Sequence, residues 1–599
     1  MTRIQRLAAG GALLSVAAAA LPAAPAYGQD FEVSKAPAAA EAAPSAIQQI
    51  VASGVVLGEP VSAKGDVERF YEKRDGSPAW IQRGRLSGEA RELIEALQNA
   101  DAHGLDPNAY HLAALSGAVD ARGRVSAGQE DAVDALLTDA FMRFANHLLN
   151  GRINPESLAS DVEATMEARD LVSTLSFALD RGAVADALDG LAPQHPQYAM
   201  LQDAYARYRE AALNAPWPKI GEGKTLKPGM TDARVQEIRA RLDAEAEFDG
   251  AAAGDEPAFI PALFSRHTGG NAPADTASLG TSVDAGDAME ETAAGETMTA
   301  PAADPNLYDE ALAARIEAFQ QRHGLAVDGV VGPDTVAMLN QGLAERTQAI
   351  EMNLERWRWL PNDLGDRYLL VNTPQYRLHG YENGRETMDM DVIVGRTDRP
   401  SPQFSDQMEY IVVNPNWNVP YSIATIDKLP KLRSDPSYFD RNGYSIYNSS
   451  GQRVSPTSVN WNAYSRGNFP FRIVQKPGSN NALGTIKFIF PNQHNVYLHD
   501  TDSPQLFAEN ERSMSSGCIR VSDPSGLARW VTGGDPELDF GELQTAWDSG
   551  RTETLYLGEK LPVHVAYFTT WADDDGSLDF YGDIYDRDAR LQAAMFGAS

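Results

Sequence analysis

The fold of the C-terminal half of the chain is decided by residues 496–501, which read VYLHDT, and by residues 512–521, which read RSMSSGCIRV. The first run is strand-like, and the alternation of side chains along a strand places Tyr497 and His499 on one face. The second run places Cys518 directly after Gly517, in a short polar stretch that ends where apolar residues resume. This setting predicts a turn that presents a thiol beside a strand.

Cys518 is the only cysteine of the 599 residues and is the candidate nucleophile. A free thiol has a pKa of about 8.5 and reacts as the thiolate, so a general base has to take its proton at neutral pH. His499 is the candidate base, because the chain between it and Cys518 is long enough to leave one strand and return beside it. His494 is the nearest rival, but it lies nearer the turn at Pro491. The alternatives are an inert buried thiol and a histidine with a structural hydrogen bond.

The residues before the cysteine also predict an oxyanion site. Gly517 allows a sharp turn, and the backbone amides of Ser516, Gly517 and Cys518 would then converge on a developing oxyanion. Zinc requires several Cys, His or carboxylate ligands at local spacing, and none cluster here. We therefore expect neither a metal nor another cofactor.

Short strand-like runs predict a β-rich C-terminal domain over residues 343–592. They lie at residues 368–371, 390–394, 410–413, 485–490 and 496–498, and a further run at 563–568 is predicted to form a hairpin with 578–580. Residues 418–481 are long and polar enough to be an inserted lid, or alternatively a second small subdomain.

Two helical units are predicted before this domain. Residues 47–215 carry apolar side chains at three- and four-residue spacings, for example Leu137, Phe141, Phe144 and Leu148, which indicates an all-helical lobe. Residues 216–342 form a second helical unit that is interrupted at 245–305, where Ala, Gly, Asp, Glu and Thr dominate. So few large apolar groups predict a largely disordered insertion.

The start of the sequence predicts an exported protein. Arg3 and Arg6 precede an apolar run over residues 7–21, and small residues precede Gln29, as in a signal peptide comprising residues 1–28. The alternative is a membrane anchor, but the run is short against the roughly 20 apolar residues of a spanning helix. Residues 29–46 predict a flexible tether. The formal net charge of −32 opposes binding to nucleic acid or to an anionic membrane surface.

Taken together, the run 498–501 and the run 515–520 resemble the signature of L,D-transpeptidases with a YkuD-type catalytic domain. Many members have a histidine before the Gly-Cys pair, whereas this chain has Ser516, which is similar to the large YcbB-type subgroup. The order of a helical scaffold, a peptidoglycan-binding unit and a catalytic domain is also that of the subgroup. Further motifs that carry the resemblance lie at residues 355–361, 392–396, 414–420 and 482–488, at 319–335 in the second unit, and at Phe70, Tyr71, Trp80 and 103–107 in the first lobe.

The resemblance implies a periplasmic, cell-wall-associated enzyme that forms 3→3 peptidoglycan cross-links. Cys518 would attack a tetrapeptide stem and expel D-alanine, with His499 moving the protons and the carbonyl of Asp500 orienting the imidazole. Trp417 and Tyr497 are candidate walls of the donor site, and Arg520 is a candidate partner for a stem carboxylate. For Trp417 a core position is an equal alternative.

The resemblance further implies peptidoglycan stems as partners, with room for other wall-synthesis proteins, and acylation by carbapenems. Two rival functions stay open at this point. In a cysteine peptidase or hydrolase, water would resolve the thioester, and in an idle wall-binding scaffold the thiol and the histidine would have no task.

Overall fold

Helices build the N-terminal part of the chain in the computed structural model. The structure describes residues 44–164, 166–214, 216–254, 304–573 and 575–597, and for 250–254 it describes only the backbone. The predicted signal peptide, most of the predicted tether (up to residue 43) and residues 255–303 of the predicted insertion lie outside the described residues. The helices of the first lobe are α1 (Ala46–Ala52), α2 (Lys64–Lys73), α3 (Gly88–Gln98), α4 (Leu112–Ala118), α5 (Glu130–Asn150), α6 (Leu171–Arg181), α7 (Val184–Asp189) and α8 (Pro196–Asn214).

Helix α5 is the centre of this lobe, because it is buried along almost its whole length. Its Asp134 carboxylate is completely buried and accepts hydrogen bonds from the backbone N–H groups of Ala79, Trp80 and Ile81. Those bonds offset the cost of burying a charge. They also fix the start of a short hairpin formed by β3 (Ile81–Gln82) with β4 (Arg85–Leu86). A second short hairpin of the lobe is formed by β1 (Val55–Val56) with β2 (Glu59–Pro60).

The second unit consists of three helices, α9 (Arg234–Gly254), α10 (Glu310–Arg322) and α11 (Pro333–Leu339). Helix α9 runs on through the first residues of the segment predicted to be disordered from residue 245, so that boundary was placed too early. Alanine and glutamate favour helix, and Glu245 is buried between Arg241 and Arg346, at 2.7 Å from each. A buried ion pair, invisible to composition, therefore holds this part of α9.

Helix α12 (Leu343–Trp357) connects these helices to the last domain. One hydrophobic core spans the first lobe, the second unit and α12, and Trp357 is buried in it, with its ring stacked on Phe568 and on His195. The described residues from Ser45 onward form one compact unit.

The last domain is a nine-stranded sheet in the order β15-β7-β16-β14-β13-β8-β17-β5-β6. Strand β7 pairs with β6 along its first half and with β16 and β15 along its second half, so the two ends of the sheet are joined. Its strands are β5 (Arg367–Asn372), β6 (Arg377–Glu382), β7 (Arg385–Gly395), β8 (Phe404–Val413), β13 (Ile486–Ile489), β14 (Leu498–His499), β15 (Ser513–Ser515), β16 (Ile519–Val521) and β17 (Glu553–Ala566). The fold class predicted from the sequence, a helical lobe, a small helical unit and a β-rich domain, is confirmed.

Residues 418–481 form a small subdomain with a hydrophobic core of its own, which favours the second of the two predicted alternatives. Its sheet has the order β11-β10-β12-β9, and short helices precede β10. The elements are β9 (Trp417–Asn418), α13 (Tyr421–Ile423), a π-helical turn (Ala424–Lys428), α14 (Leu429–Ser434), α15 (Ser437–Arg441), β10 (Tyr444–Tyr447), β11 (Arg453–Val454) and β12 (Arg472–Gln475).

The remaining elements follow β16, and one of them corrects a prediction. Residues 578–580 do form a hairpin, but their partner is β18 (Thr570–Ala572), whereas 563–566 pair inside the large sheet with β5 and β8. Within the described ranges no helix is both long enough and apolar enough to cross a membrane. These last elements are α16 (Pro524–Gly533), α17 (Phe540–Asp548), β18, β19 (Leu578–Phe580) and α18 (Arg587–Phe596).

Candidate active site

Strand β14 brings the predicted base and the predicted nucleophile to one face of the large sheet. It runs antiparallel to β13, with Lys487 opposite His499, and parallel to β16, with His499 beside Arg520. The same register places Tyr497 beside Cys518, whose neighbour Ile519 donates its N–H to the carbonyl of Tyr497 at 3.2 Å. The side chains alternating with them, Leu498, Ile519 and Phe488, are fully buried in the core of the domain.

One face therefore carries Lys487, Tyr497, His499, Cys518 and Arg520. Cys518, one residue before β16, is the diagonal neighbour of His499 on β14, and the centroids of the Tyr497 and His499 rings lie 5.6 Å apart. The sequence predicted four of these five residues for the site. Lys487 was missed, although a period of two between the apolar Ile486 and Phe488 would have placed it on this face.

The imidazole of His499 is oriented by its own strand. Its Nδ1 lies 2.5 Å from the carbonyl oxygen of Asp500. A carbonyl oxygen can only accept, so Nδ1 carries the proton and Nε2 has the free lone pair. Burial lowers the pKa of His499 to about 3, and the cations Arg520 and Lys487 act in the same direction. The histidine is therefore neutral at pH 7, with Nε2 unprotonated.

The thiol of Cys518 is also neutral at rest. Burial raises its pKa to about 11, against the opposing effects of Tyr497, Arg520 and Lys487. Sγ lies 3.8 Å from the carbonyl oxygen of Asn495. The residue is nevertheless partly accessible at the surface of the sheet. The resting site thus combines a protonated thiol with a neutral imidazole.

Hydrogen bonds shape the loop in front of the nucleophile. Gly517 has φ +110°, in the region that favours glycine, and its carbonyl accepts a bond from Ser401 Oγ at 2.8 Å. Ser515 Oγ donates to the carbonyl of Cys518 at 2.5 Å and accepts the N–H of Gly517 at 3.1 Å. The amide of Gly517, predicted as an oxyanion donor, is therefore occupied in this conformation.

The carboxylate of Asp500 hydrogen-bonds to neighbouring threonines and not to the imidazole of His499. It accepts bonds from the N–H of Thr485 at 2.8 Å, from Thr485 Oγ1 at 2.9 Å and from the N–H of Thr501 at 2.7 Å. Gly484 makes this possible, because its φ is +58° and a Cβ there would lie 2.2–2.5 Å from the Asp500 side chain. The Gly484–Asp500 contact thus sets the position of the carbonyl that holds His499.

The structure does not bring Trp417 to the thiol. Its indole is buried in the core of the small subdomain, against Tyr444 and with the ammonium of Lys428 at 5.1 Å from the ring centroid. Tyr497 packs against the same core, so the subdomain borders the site. Of the two alternatives for Trp417, the structure favours the core position.

A second contact joins the subdomain to the nucleophile loop. Arg399 forms a bidentate ion pair with Asp427, with N–O distances of 2.7 and 3.4 Å. The same guanidinium donates to Ser516 Oγ at 3.1 Å. Ser516 itself is exposed beside the thiol.

Among the described residues, no group of three or more His, Cys, Asp or Glu side chains is placed to hold a metal ion.

Three domain models match the sequence in the predicted order. They are a scaffold domain over residues 65–204, a "Putative peptidoglycan binding domain" over 298–339 and an L,D-transpeptidase catalytic domain over 366–538. The fold and the site thus define a protein with an L,D-transpeptidase catalytic domain. With a scaffold and a peptidoglycan-binding domain before it, the chain has the architecture of the large YcbB-type L,D-transpeptidases.

Comparisons with whole proteins cover less of the chain. A "Putative L,D-transpeptidase" of Haemophilus influenzae is 34% identical over 250 residues, which are 41% of this chain and 50% of that protein. The chain therefore matches half the length of that relative. A crystal structure of a fused Zn-dependent amidase/peptidase/peptidoglycan-binding domain-containing protein from Clostridium acetobutylicum covers 57% of this chain and 100% of its own, at 12% identity. Its TM-score of 0.13 supports no argument about the fold.

Proposed function

We propose that this protein is a peptidoglycan L,D-transpeptidase that forms 3→3 cross-links by acyl transfer through Cys518. The observation that supports this most strongly is the shared sheet face of Cys518 and His499, inside the region matched by the L,D-transpeptidase catalytic domain. Neither a scaffold nor a binding module needs a thiol beside an oriented, neutral imidazole. The matched peptidoglycan-binding domain supports the polymer as partner.

In the first step His499 Nε2 takes the thiol proton while Sγ attacks the carbonyl carbon of the L-centred diamino acid in a tetrapeptide stem. The oxyanion of the tetrahedral intermediate is met by backbone amides of the nucleophile loop, for which Ser516 and Cys518 remain when Gly517 donates to Ser515. The C–N bond then breaks. D-alanine leaves with the proton from His499, and a thioester remains on Cys518.

In the second step the side-chain amine of a neighbouring stem attacks the thioester. His499 takes a proton from the amine and returns it to the sulfur, so an amide forms and the thiol is regenerated. A lipoprotein amine or a free D-amino acid offers the same nucleophile, and water would give hydrolysis. The protonated resting thiol requires proton removal in each turnover, which is the task that the position of His499 suits.

Two parts of the site are assigned to substrate binding. Tyr497 lies beside the thiol and borders the small subdomain, and Arg520 presents a cation on the same face for a stem carboxylate. The protein is proposed to act outside the cytoplasmic membrane, in the periplasm, where its polymer lies.

The test is mass spectrometry of purified tetrapeptide muropeptides incubated with the protein, with Cys518→Ala as the control. We expect a dimer whose fragmentation places the new bond between two diamino acids, together with free D-alanine. Tripeptide without dimer would instead identify a hydrolase. Unchanged muropeptides with a folded, thiol-reactive protein would contradict the proposal.

A further inference from the structure

Lys487 is a cation on the active face for which the reaction scheme above has no task. It lies directly opposite His499, and its Nζ is 5.3 Å from the centroid of the Tyr497 ring. Its neighbours Ile486 and Phe488 are completely buried on the other side of the strand. The pleat of β13 therefore forces the Lys487 side chain onto the face that carries the thiol.

The ammonium of Lys487 has no carboxylate partner in the parts of the chain that the structure describes. Burial lowers its pKa, and the group that favours its charge is the Cys518 thiol. An ammonium removed from water without a counter-ion is costly, and lysine is rarely placed so unless an anion is expected nearby. Its ring contact with Tyr497 offsets only part of that cost.

Arg520 completes the same pattern from the other side. Its pKa is lowered by burial against the favourable effects of Asp502 and Cys518, and its Nε is buried with no hydrogen-bond partner. Strands β13 and β16 thus each place one incompletely paired cation on the sheet face that carries Cys518. Among the described residues, these two cations have only the carboxylate of Asp502 near them, and a thiolate at Cys518 supplies a second negative charge during the reaction.

We propose that Lys487 is an electrostatic positioning residue, whose ammonium stabilises negative charge on Cys518 Sγ and opposes retention of the proton by His499. The proposal rests on the acyl transfer proposed above. In that reaction the cation helps twice, because it favours the sulfur anion before attack and drives the imidazolium to pass its proton to the leaving amine. The other charged groups near the thiol are Arg520 on β16 and Asp502, whose carboxylate favours the charge of Arg520. On the other side of Lys487, strand β8 contributes the uncharged Val412.

The effect can be measured without any substrate, because Cys518 is the only thiol of the protein. Alkylation by iodoacetamide between pH 7 and 8.5, followed by intact mass, reports the ionisation of that one thiol while Lys487 carries its charge. A neighbouring cation shifts a pKa by about one unit or more. We expect Lys487→Met to raise the pKa of Cys518 by about one unit, which lowers the thiolate fraction about tenfold at any pH in this range. At pH 8 the rate should fall about threefold, since a more basic thiolate is intrinsically more nucleophilic.

Three variants make the test decisive. Lys487→Arg keeps the charge and should restore the wild-type profile, and Lys560→Met removes an exposed lysine paired with Glu409 and should leave it unchanged. If Lys487→Met does not fold by circular dichroism, Lys487→Gln serves as the neutral variant. An alkylation profile of the folded neutral variant that coincides with wild type overturns the proposal. Absence of cross-linking activity would count against the proposed function and leave this measurement unaffected.

Discussion

Replacing His499 by alanine tests the chemistry of the site most directly. In the wild type, the imidazole is neutral from about pH 3 upward, because its pKa is lowered to about 3. Base-assisted attack should therefore vary little with pH between about 4 and 9. We expect His499→Ala to slow acylation at pH 7 by about 10²- to 10⁴-fold, the usual loss on removing a general base.

The size of the recovery at high pH follows from the thiol. With a pKa of about 11, Cys518 is ionised to a fraction of only about 10⁻⁴ at pH 7. Without a base the rate must follow that fraction, so it rises about tenfold per pH unit. A deficit of about 10² at pH 7 then disappears near pH 9, and one of about 10⁴ disappears near pH 11.

The assay is the rate of covalent adduct formation with a carbapenem, followed by intact mass at several pH values. His494→Ala is the matched control, because that histidine precedes β14 and pairs with Glu163 at 2.9 Å. It should show the flat wild-type profile. A deficit in His499→Ala that stays constant with pH would mean a structural histidine. A fully active His499→Ala, or a loss shared equally by His494→Ala, would refute the assignment of the base.

Three further outcomes are expected. Cys518→Ala should form neither cross-linked product nor carbapenem adduct while its circular dichroism stays that of the wild type, and an adduct on this variant would contradict the thiol mechanism. Gly484→Ala should lower the free energy of unfolding by at least about 1–2 kcal/mol in urea, because a side chain at φ +58° is strained and its Cβ overlaps Asp500. Burial lowers the pKa of His195 to about 3, so the unfolded chain binds its proton first, and the stabilisation present above pH 6.5 is lost as pH falls towards 3. The free energy of unfolding should therefore be about 2 kcal/mol lower at pH 5 than at pH 7 through this histidine. Denaturant titrations at the two pH values should show a smaller difference in that free energy for His195→Phe than for the wild type. Equal differences would contradict the argument.

The local part of the site could be predicted from the sequence. The alternation in residues 496–501 placed Tyr497 and His499 on one face, and the structure agrees. What the sequence did not reveal depends on pairing between distant strands. Lys487, which the sequence did not point to, meets His499 only because β13 and β14 pair in one register. Arg520 was named through the resemblance, but its place beside His499 depends on the parallel pairing of β16 with β14.

Misplaced boundaries have equally physical causes. The alanine-rich composition after residue 245 hid a helix in which Glu245 pairs with Arg241 one turn earlier and with the distant Arg346. The hairpin partner of residues 578–580 was misassigned because the more strongly apolar run 563–566 is used by the large sheet, between β5 and β8. In both cases a tertiary contact decided between two locally acceptable structures.

Hairpin β18–β19 has a mechanical consequence. It follows the sheet in sequence, yet Gln197 of α8 exchanges two hydrogen bonds with Ala572. The end of α10 contacts the other strand, because Arg322 donates to the carbonyl of Leu578 and His323, the next residue, hydrogen-bonds to the carbonyl of Phe580. A pull exerted by the polymer on the second unit would therefore load the hairpin, and through it β17, instead of stretching a slack linker. The second unit and the sheet that carries Cys518 are therefore coupled by direct hydrogen bonds as well as by the connecting chain.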